Sequence, residues 1–302
     1  MNRRIAIATS AIAAASLLLG GCSATSVSAN RASGVQVLAS FYQLQYVAQQ
    51  VGGHLVHVTS LTPPGAEPHD IELSPREVRA VSDADVVVYL SGFQSAVDAA
   101  IAARKPAHVV NAAHVADLVP AQGTEAKNGA LDPHFWLDPQ RYSSVANVIA
   151  TRLSNADPAN RAGYQKNAIA FENKLAALST EFTTGLANCQ RKDIVTSHAA
   201  FGYLAKRFGI EQIAINGLSP EQEPNATEIA AVSSYAKAHG VTTVYAETLV
   251  SPAIAATVAN ESGAKVSTLD PIEGLTKQSN GKNYFEVMRS NLTALRAGQG
   301  CS

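Results

Sequence analysis

Charged residues and cysteines are both scarce in this chain of 302 residues. Only 16% of the residues are charged, against about a quarter in an average soluble protein. A disordered chain combines low hydrophobicity with high net charge, whereas 46% of these residues are hydrophobic and the formal net charge is −1. Phosphate binding needs a concentrated basic surface, so we expect no nucleic-acid partner. The sequence therefore predicts a folded protein, and its length favours two domains.

The one long hydrophobic run lies at the N-terminus. Asn2-Arg3-Arg4 gives a positive start, residues 5–19 carry no charge, and Leu19-Gly20-Gly21-Cys22 follows. This pattern resembles a bacterial lipobox, in which cleavage leaves the cysteine as a lipid-bearing N-terminus. The alternatives are an ordinary signal peptide or a membrane span, although an uncharged run of about 15 residues is short for a span of about 20. We expect residues 1–21 to be the signal, Cys22 to carry lipid, and residues 22–34 to tether an extracytoplasmic protein to the cell membrane.

The two remaining cysteines are Cys189 and Cys301. An exported protein lies in a compartment that permits disulfides, and two free thiols tend to oxidise there. We therefore expect a bridge between them that closes a loop of about 110 residues, while two free buried thiols are the alternative.

Strand and helix patterns alternate along most of the chain. Residues 85–90 (DVVVYL), for example, form a continuous apolar run that is typical of a strand buried on both faces. Such alternation predicts an α/β fold with mainly parallel sheets flanked by helices, and each half supplies four strand patterns. We expect an N-terminal domain at residues 35–140 and a C-terminal domain at residues 189–302.

Residues 141–188 contain no strand pattern and are predicted to form a helical linker. Apolar residues recur at steps of three and four from Tyr164 to Phe182. This spacing predicts one helix of about 28 residues, close to 40 Å in length, which suits a rigid strut between two domains.

Three of the eight histidines occur in unusual contexts. His69 lies in a loop rich in Pro and Gly (PPGAEPHD), His134 lies in DPHFWLDP beside the only Trp, and His198 follows the strand pattern DIVTS. Asp270 follows the strand pattern KVSTL. Ligands of open parallel sheets bind beyond the carboxyl ends of the strands, so these four side chains can converge in a cleft between the domains.

The chemistry of this set suits Zn²⁺, because imidazole and carboxylate are good zinc ligands and four of them make a closed tetrahedral site. Nearby carboxylates can orient the imidazoles through their second ring nitrogen. The candidates are Asp70, Asp132, Asp138 and Glu247. The other five histidines are more simply interpreted as surface or core residues: His54, His57, His108, His114 and His239.

The same motifs resemble those of a known family, the metal-binding lipoproteins of ABC importers, which capture zinc or manganese outside the cell. The similar segments are the two histidine motifs, SHAAFGYLAKRFGI (residues 197–210), GLSPEQEPNATE (217–228), YAETLVSP (245–252) and TLDP (268–271). The resemblance implies two α/β domains joined by a long helix, with metal held in the cleft by His69, His134, His198 and Asp270. It also implies a membrane permease as the partner, and we expect a monomer.

The metal is predicted to be zinc, bound as the transported ligand. Manganese-type members tend to have Glu where this chain has His198, and imidazole there favours zinc over manganese, which prefers oxygen ligands. Many zinc-type members also carry a long His-rich loop before the second histidine motif. The corresponding segment here, residues 121–131 (AQGTEAKNGAL), is short and contains no histidine. Delivery of manganese or iron therefore stays open as an alternative.

Two other classes of function compete with transport. An exported zinc metallohydrolase would need an open metal position and a base, for which Glu247 is the candidate, but four protein ligands fill the site and no HExxH pattern occurs. An adhesin is the other alternative, and no feature of the sequence argues for it. We expect a binding protein that is not an enzyme.

Overall fold

The computed structural model describes residues 34–121 and 129–302. The N-terminal lobe contains β1 (Val35–Ala39), α1 (Tyr42–Gly52), β2 (Val56–Ser60), α2 (Pro75–Asp83), β3 (Val86–Tyr89), α3 (Ser95–Arg104) and β4 (Val109–Asn111). Two long helices follow, α4 (Pro139–Ala156) and α5 (Arg161–Gly185). The C-terminal lobe contains β5 (Asp193–Thr196), α6 (Gly202–Phe208), β6 (Glu211–Ala214), α7 (Ala226–Ala238), β7 (Thr243–Ala246), α8 (Ala253–Ser262), β8 (Lys265–Thr268) and α9 (Tyr284–Gln299).

Each lobe is built on one four-stranded sheet, and the two sheets have the same topology. The strand orders are β2-β1-β3-β4 and β6-β5-β7-β8, and every pair of neighbours is parallel. The predicted fold class is therefore confirmed. Because both sheets have the same order, their carboxyl edges present equivalent loops, and these loops carry the candidate site.

The N-terminal sheet is buried on both faces, as its apolar strands predict. Side chains alternate between the faces of a strand. Accordingly, Val86 and Val88 of β3 belong to the main core, whereas Val87 between them packs into a second cluster beneath α2 and α3. Helix α2 begins with a capping box formed by Ser74 and Glu77.

Helix α5 is the predicted long helix, and its 25 residues span about 37 Å. Its buried stripe runs from Tyr164 to Phe182 at the predicted steps of three and four. The helix packs against α1 of one lobe and α9 of the other, as well as against α4. One continuous hydrophobic core consequently extends from the N-terminal sheet through α4 and α5 to the C-terminal lobe.

Cys189 and Cys301 form a disulfide, as predicted. Cys189 precedes β5 and Cys301 follows α9, so the bridge fastens the end of the chain to the amino edge of the C-terminal sheet. This edge is opposite the carboxyl ends of the strands.

Within the described ranges, no helix combines the length and the apolar character that crossing a bilayer requires. The predicted signal, the predicted lipid attachment at Cys22 and most of the predicted tether at residues 22–34 lie outside these ranges.

Candidate metal centre

Three histidines and one glutamate meet between the two lobes. One ligand atom from each lies within 4.8 Å of the others. His69 lies in the loop after β2, His134 lies before α4, His198 follows β5 directly, and Glu273 lies in the loop after β8. Two of these side chains therefore come from each half of the chain.

The DPHFWLDP motif shapes the backbone around His134. The carboxylate of Asp132 accepts the backbone N–H of His134 at 2.9 Å. A short 3₁₀ turn (Phe135–Leu137) then buries the only Trp completely, and Asp138 caps α4 with Pro139 at its first position. The ligand candidate is thus fixed between a buried aromatic turn and a capped helix.

The three imidazoles point the same ring nitrogen at one carboxylate oxygen. The Nε2 atoms of His69 and His134 each lie 3.0 Å from Oε1 of Glu273, and Nε2 of His198 lies 3.4 Å from it. Nε2 of His198 also lies 3.4 Å from Nε2 of His134. Two ligands on a tetrahedral zinc, each about 2.05 Å from the ion, are about 3.3 Å apart. Four of the six distances among these atoms are thus close to the edge of a zinc tetrahedron, and all six lie within 4.8 Å.

Two further carboxylates orient the imidazoles. Oδ1 of Asp132 lies 2.8 Å from Nδ1 of His134, and Oε1 of Glu247 lies 2.7 Å from Nδ1 of His198. Each carboxylate also accepts the backbone N–H of the histidine that it orients. A proton on Nδ1 leaves Nε2 free to bind a metal, so these contacts select the ligating tautomer.

The burial of the group is uneven. The side chains of His134 and His198 are fully buried and Glu273 is 1% exposed, whereas His69 is 10% exposed. Beside His69 lies Glu67, whose Oε2 accepts the backbone N–H of His69 at 3.0 Å. Burial, assisted by the negative charge of Glu273, raises the pKa of Glu67 to about 7.

The charges of the group shift the pKa values of its members in opposite directions. Burial alone would lower the pKa of His198, but the negative charges of Glu247 and Glu273 outweigh it and hold that pKa well above 6.5. Burial also opposes the charge of His134, whose pKa is nevertheless raised by its hydrogen bonds to Asp132 and Glu273. Burial would raise the pKa of Glu273, yet the three imidazoles hold it well below 4.5.

Asp270 does not lie in this group, contrary to the prediction that it provides the fourth ligand. Its Oδ1 accepts the backbone N–H of Ile272 at 2.7 Å, and its Oδ2 accepts the hydroxyl of Thr248 at 3.1 Å. The acidic position facing the imidazoles is occupied by Glu273. Asp270 shapes the loop that carries Glu273.

Two of the four predicted orienting carboxylates also lie elsewhere. Asp138 caps α4 and pairs with Arg207 at 2.6 Å, so its charge is used in holding α4 to α6. Asp70 follows His69 in the sequence, but its side chain is exposed. Asp132 and Glu247 are the two that contact imidazoles.

The sequence alone favours Asp270 over Glu273, because Asp270 is the first carboxylate beyond the strand pattern. A signal was nevertheless present, since Glu273 lies three residues further on, in the segment DPIEG. Either acidic residue of this loop can provide the fourth metal ligand, because the conformation of the loop decides which carboxylate faces the imidazoles.

Comparison with known proteins places the chain in a family. Residues 37–298 match the family ZnuA, described as "Zinc-uptake complex component A periplasmic". The chain is 35% identical to the high-affinity zinc uptake system protein ZnuA of Bacillus subtilis (strain 168), over 94% of this chain and 95% of that protein. It is 36% identical to the zinc-binding protein AdcA of Streptococcus pyogenes serotype M18, over 87% of this chain, and the match spans only 55% of AdcA.

The fold is also similar to that of solved structures. The Zn(II)-bound ZnuA-like domain of Streptococcus pneumoniae AdcA is 34% identical, with a TM-score of 0.75 over 88% of this chain and 99% of that domain. Because the family match covers most of the chain and the chain is 35% identical to the Bacillus subtilis protein over 95% of that protein, it belongs to the ZnuA family of periplasmic zinc-uptake components.

Proposed function

We propose that the protein is the zinc-binding component of an ABC importer, held at the outer side of the cell membrane by a lipid on Cys22. It captures Zn²⁺ between its lobes with His69, His134, His198 and Glu273 and delivers the ion to a membrane permease. The observation that carries the proposal is the convergence of the four ligand atoms, which all lie within 4.8 Å of one another and are separated by 3.0–3.4 Å in four of their six pairs. The names of the relatives, which describe zinc uptake and zinc binding, support it.

The donor set favours zinc over manganese and iron. Three of the four donors are imidazoles, which suit zinc, whereas manganese prefers sites made of oxygen ligands. Zn²⁺ and the Glu273 carboxylate would together have a net charge of +1. Asp132 and Glu247 add negative charge next to the imidazoles of His134 and His198. This charge balance stabilises a divalent cation in a buried site.

The arrangement favours transport over hydrolysis. A catalytic zinc generally keeps one position open for water, whereas four protein ligands complete a tetrahedral site. Glu247, the candidate base, accepts one hydrogen bond from the Nδ1–H of His198 and another from its backbone N–H. Its carboxylate is therefore engaged in orienting a ligand.

Native mass spectrometry with elemental analysis tests the proposal. Protein stripped of metal should take up one zinc ion, and a tenfold excess of manganese should not displace it. Changing His69, His134 and His198 together to Ala should abolish this binding. The matched control changes three exposed histidines, His54, His57 and His114, to Ala and should keep one zinc. If the cleft variant binds one zinc with unchanged affinity, the assignment is wrong.

A further inference from the structure

The residue just before Glu273 has a strained backbone. Ile272 adopts φ of 62°, in the left-handed region that β-branched residues rarely enter. Two other non-glycine residues of the described ranges have positive φ, Lys105 and Asp117, and both are exposed. Ile272 is completely buried. Such a conformation persists only where the surroundings hold it in place.

Hydrogen bonds hold Ile272 from both sides. Its N–H donates to Oδ1 of Asp270 at 2.7 Å, within the same loop. Its carbonyl accepts Nε2 of Gln43 at 2.5 Å, and Gln43 lies in the first turn of α1 in the other lobe. The carbonyl of Pro271 also accepts a bond from the N-terminal half, from Nε1 of Trp136.

The hydrogen bond from Gln43 is one peptide group away from Glu273, because its acceptor is the carbonyl of Ile272. The carbonyl of Ile272 and the N–H of Glu273 belong to the same planar unit, so Gln43 sets the plane from which the Glu273 side chain extends. Oε1 of Glu273 must lie near 3 Å from the imidazole nitrogens to share an ion with them. A rotation of this peptide would move the carboxylate away.

The other end of the Gln43 amide indicates what this side chain is for. Its Oε1 is buried and has no hydrogen-bond partner among the described residues, although the side chain is completely buried. An unpaired buried acceptor lowers stability, so this end of the amide does not stabilise the fold. The glutamine is useful at this position for its N–H donor.

We propose that Gln43 is a positioning residue for Glu273. It holds the strained Ile272 peptide in the conformation that presents the carboxylate to the three imidazoles, and it thereby slows release of the ion. This inference rests on the proposed zinc-binding function. Without the Gln43 bond the loop relaxes, Glu273 withdraws, and zinc leaves faster.

The decisive variant is Gln43→Met, which keeps the volume and removes both the donor and the unpaired oxygen. We expect zinc transfer to an excess of chelator, followed by stopped flow, to become about tenfold faster or more. The melting temperature of the metal-free protein should stay the same or rise. Gln49→Met, on the exposed face of α1, is the matched control and should leave both unchanged. Gln43→Asn, whose amide is too short to reach Ile272, replaces Gln43→Met if that variant does not fold.

A double-mutant cycle separates positioning from a general effect on the fold. In a Glu273→Gln background, the change at Gln43 should alter the release rate by less than about twofold, because the carboxylate that it positions is gone. Equal acceleration in both backgrounds, or release within twofold of wild type for the single variant, overturns the inference. If the variants give either of those results while the wild-type protein binds one zinc, the proposed function stays intact. If the wild-type protein binds no zinc, both the inference and the proposed function are overturned.

Discussion

Zinc binding should release a proton from His198. Nδ1 of His198 faces Glu247 at 2.7 Å, and Nε2 faces Glu273 at 3.4 Å. These two carboxylates hold the pKa of His198 well above 6.5 against the opposing effect of burial. The metal needs the lone pair of Nε2, so the imidazolium must lose a proton before it can serve as a ligand.

The size of the effect follows from the number of protons displaced. At a pH below the raised pKa of His198, each displaced proton changes the apparent zinc Kd tenfold per pH unit, or about 1.4 kcal/mol. Affinity should therefore rise at least about tenfold between pH 6 and pH 7. Burial lowers the pKa of His69, and the pKa of Glu273 is held well below 4.5. Glu67, whose pKa is raised to about 7, gains negative charge beside the site as the pH rises and acts in the same direction as His198. The raised pKa of His134 makes the dependence steeper still.

Isothermal titration at pH 7 in PIPES and in HEPES measures the released protons, because these two buffers bind zinc weakly and differ in their enthalpy of protonation. Glu247→Gln keeps an oxygen that can accept from His198 but removes one negative charge, so it should lower the pKa of His198 and flatten the pH dependence. Glu261→Gln, at an exposed site on α8, is the matched control. Equal affinities at pH 6 and pH 7, with heats that do not depend on the buffer, would refute the reasoning.

Three further outcomes are expected. Replacing Cys189 and Cys301 by Ser opens a loop with a sequence separation of 112, which should lower the free energy of unfolding by up to about 5 kcal/mol. The melting temperature should fall by roughly 10 °C while the zinc stoichiometry stays at one. An unchanged melting temperature would contradict this. Cys22→Ser should move the protein from the membrane fraction to the soluble fraction, and its retention in the membrane would count against the anchor. Glu273→Ala should weaken zinc binding at least about 100-fold, whereas Asp270→Asn should weaken it less than about tenfold. If the Asp270 variant showed the larger loss, Asp270 would be the ligand.

The fold could be predicted because its signals are local. The apolar run at β3 is long enough only for a buried strand, and the stripe from Tyr164 to Phe182 has the period of a helix. Parallel strands place their following loops at one edge, which is why His69 and His198 could be predicted to converge. The bridge between Cys189 and Cys301 followed from the expected compartment and the cysteine count.

The fourth side chain of the site could not be predicted in the same way, because its position depends on tertiary contacts. The turn that directs Glu273 inward passes through Ile272 in a left-handed conformation, and isoleucine is among the residues least expected there. Propensity therefore points away from the observed loop. The conformation is maintained by Gln43, which is separated from Ile272 by 229 residues in the sequence.

The structure also indicates how the ion is exchanged. Trp136 and Tyr284 are fully buried and are bonded across the two halves of the chain, since Nε1 of Trp136 donates to the carbonyl of Pro271 and the Tyr284 hydroxyl donates to the carbonyl of Trp136. Opening the lobes as rigid bodies would break these bonds and expose two large aromatic side chains, at a cost of several kcal/mol for each, about what their truncation costs. Movement of His69 requires less disruption, because its side chain is 10% exposed and is the most exposed of the four. We therefore expect exchange by local movement of the loop that carries His69, while α5 keeps the lobes in place.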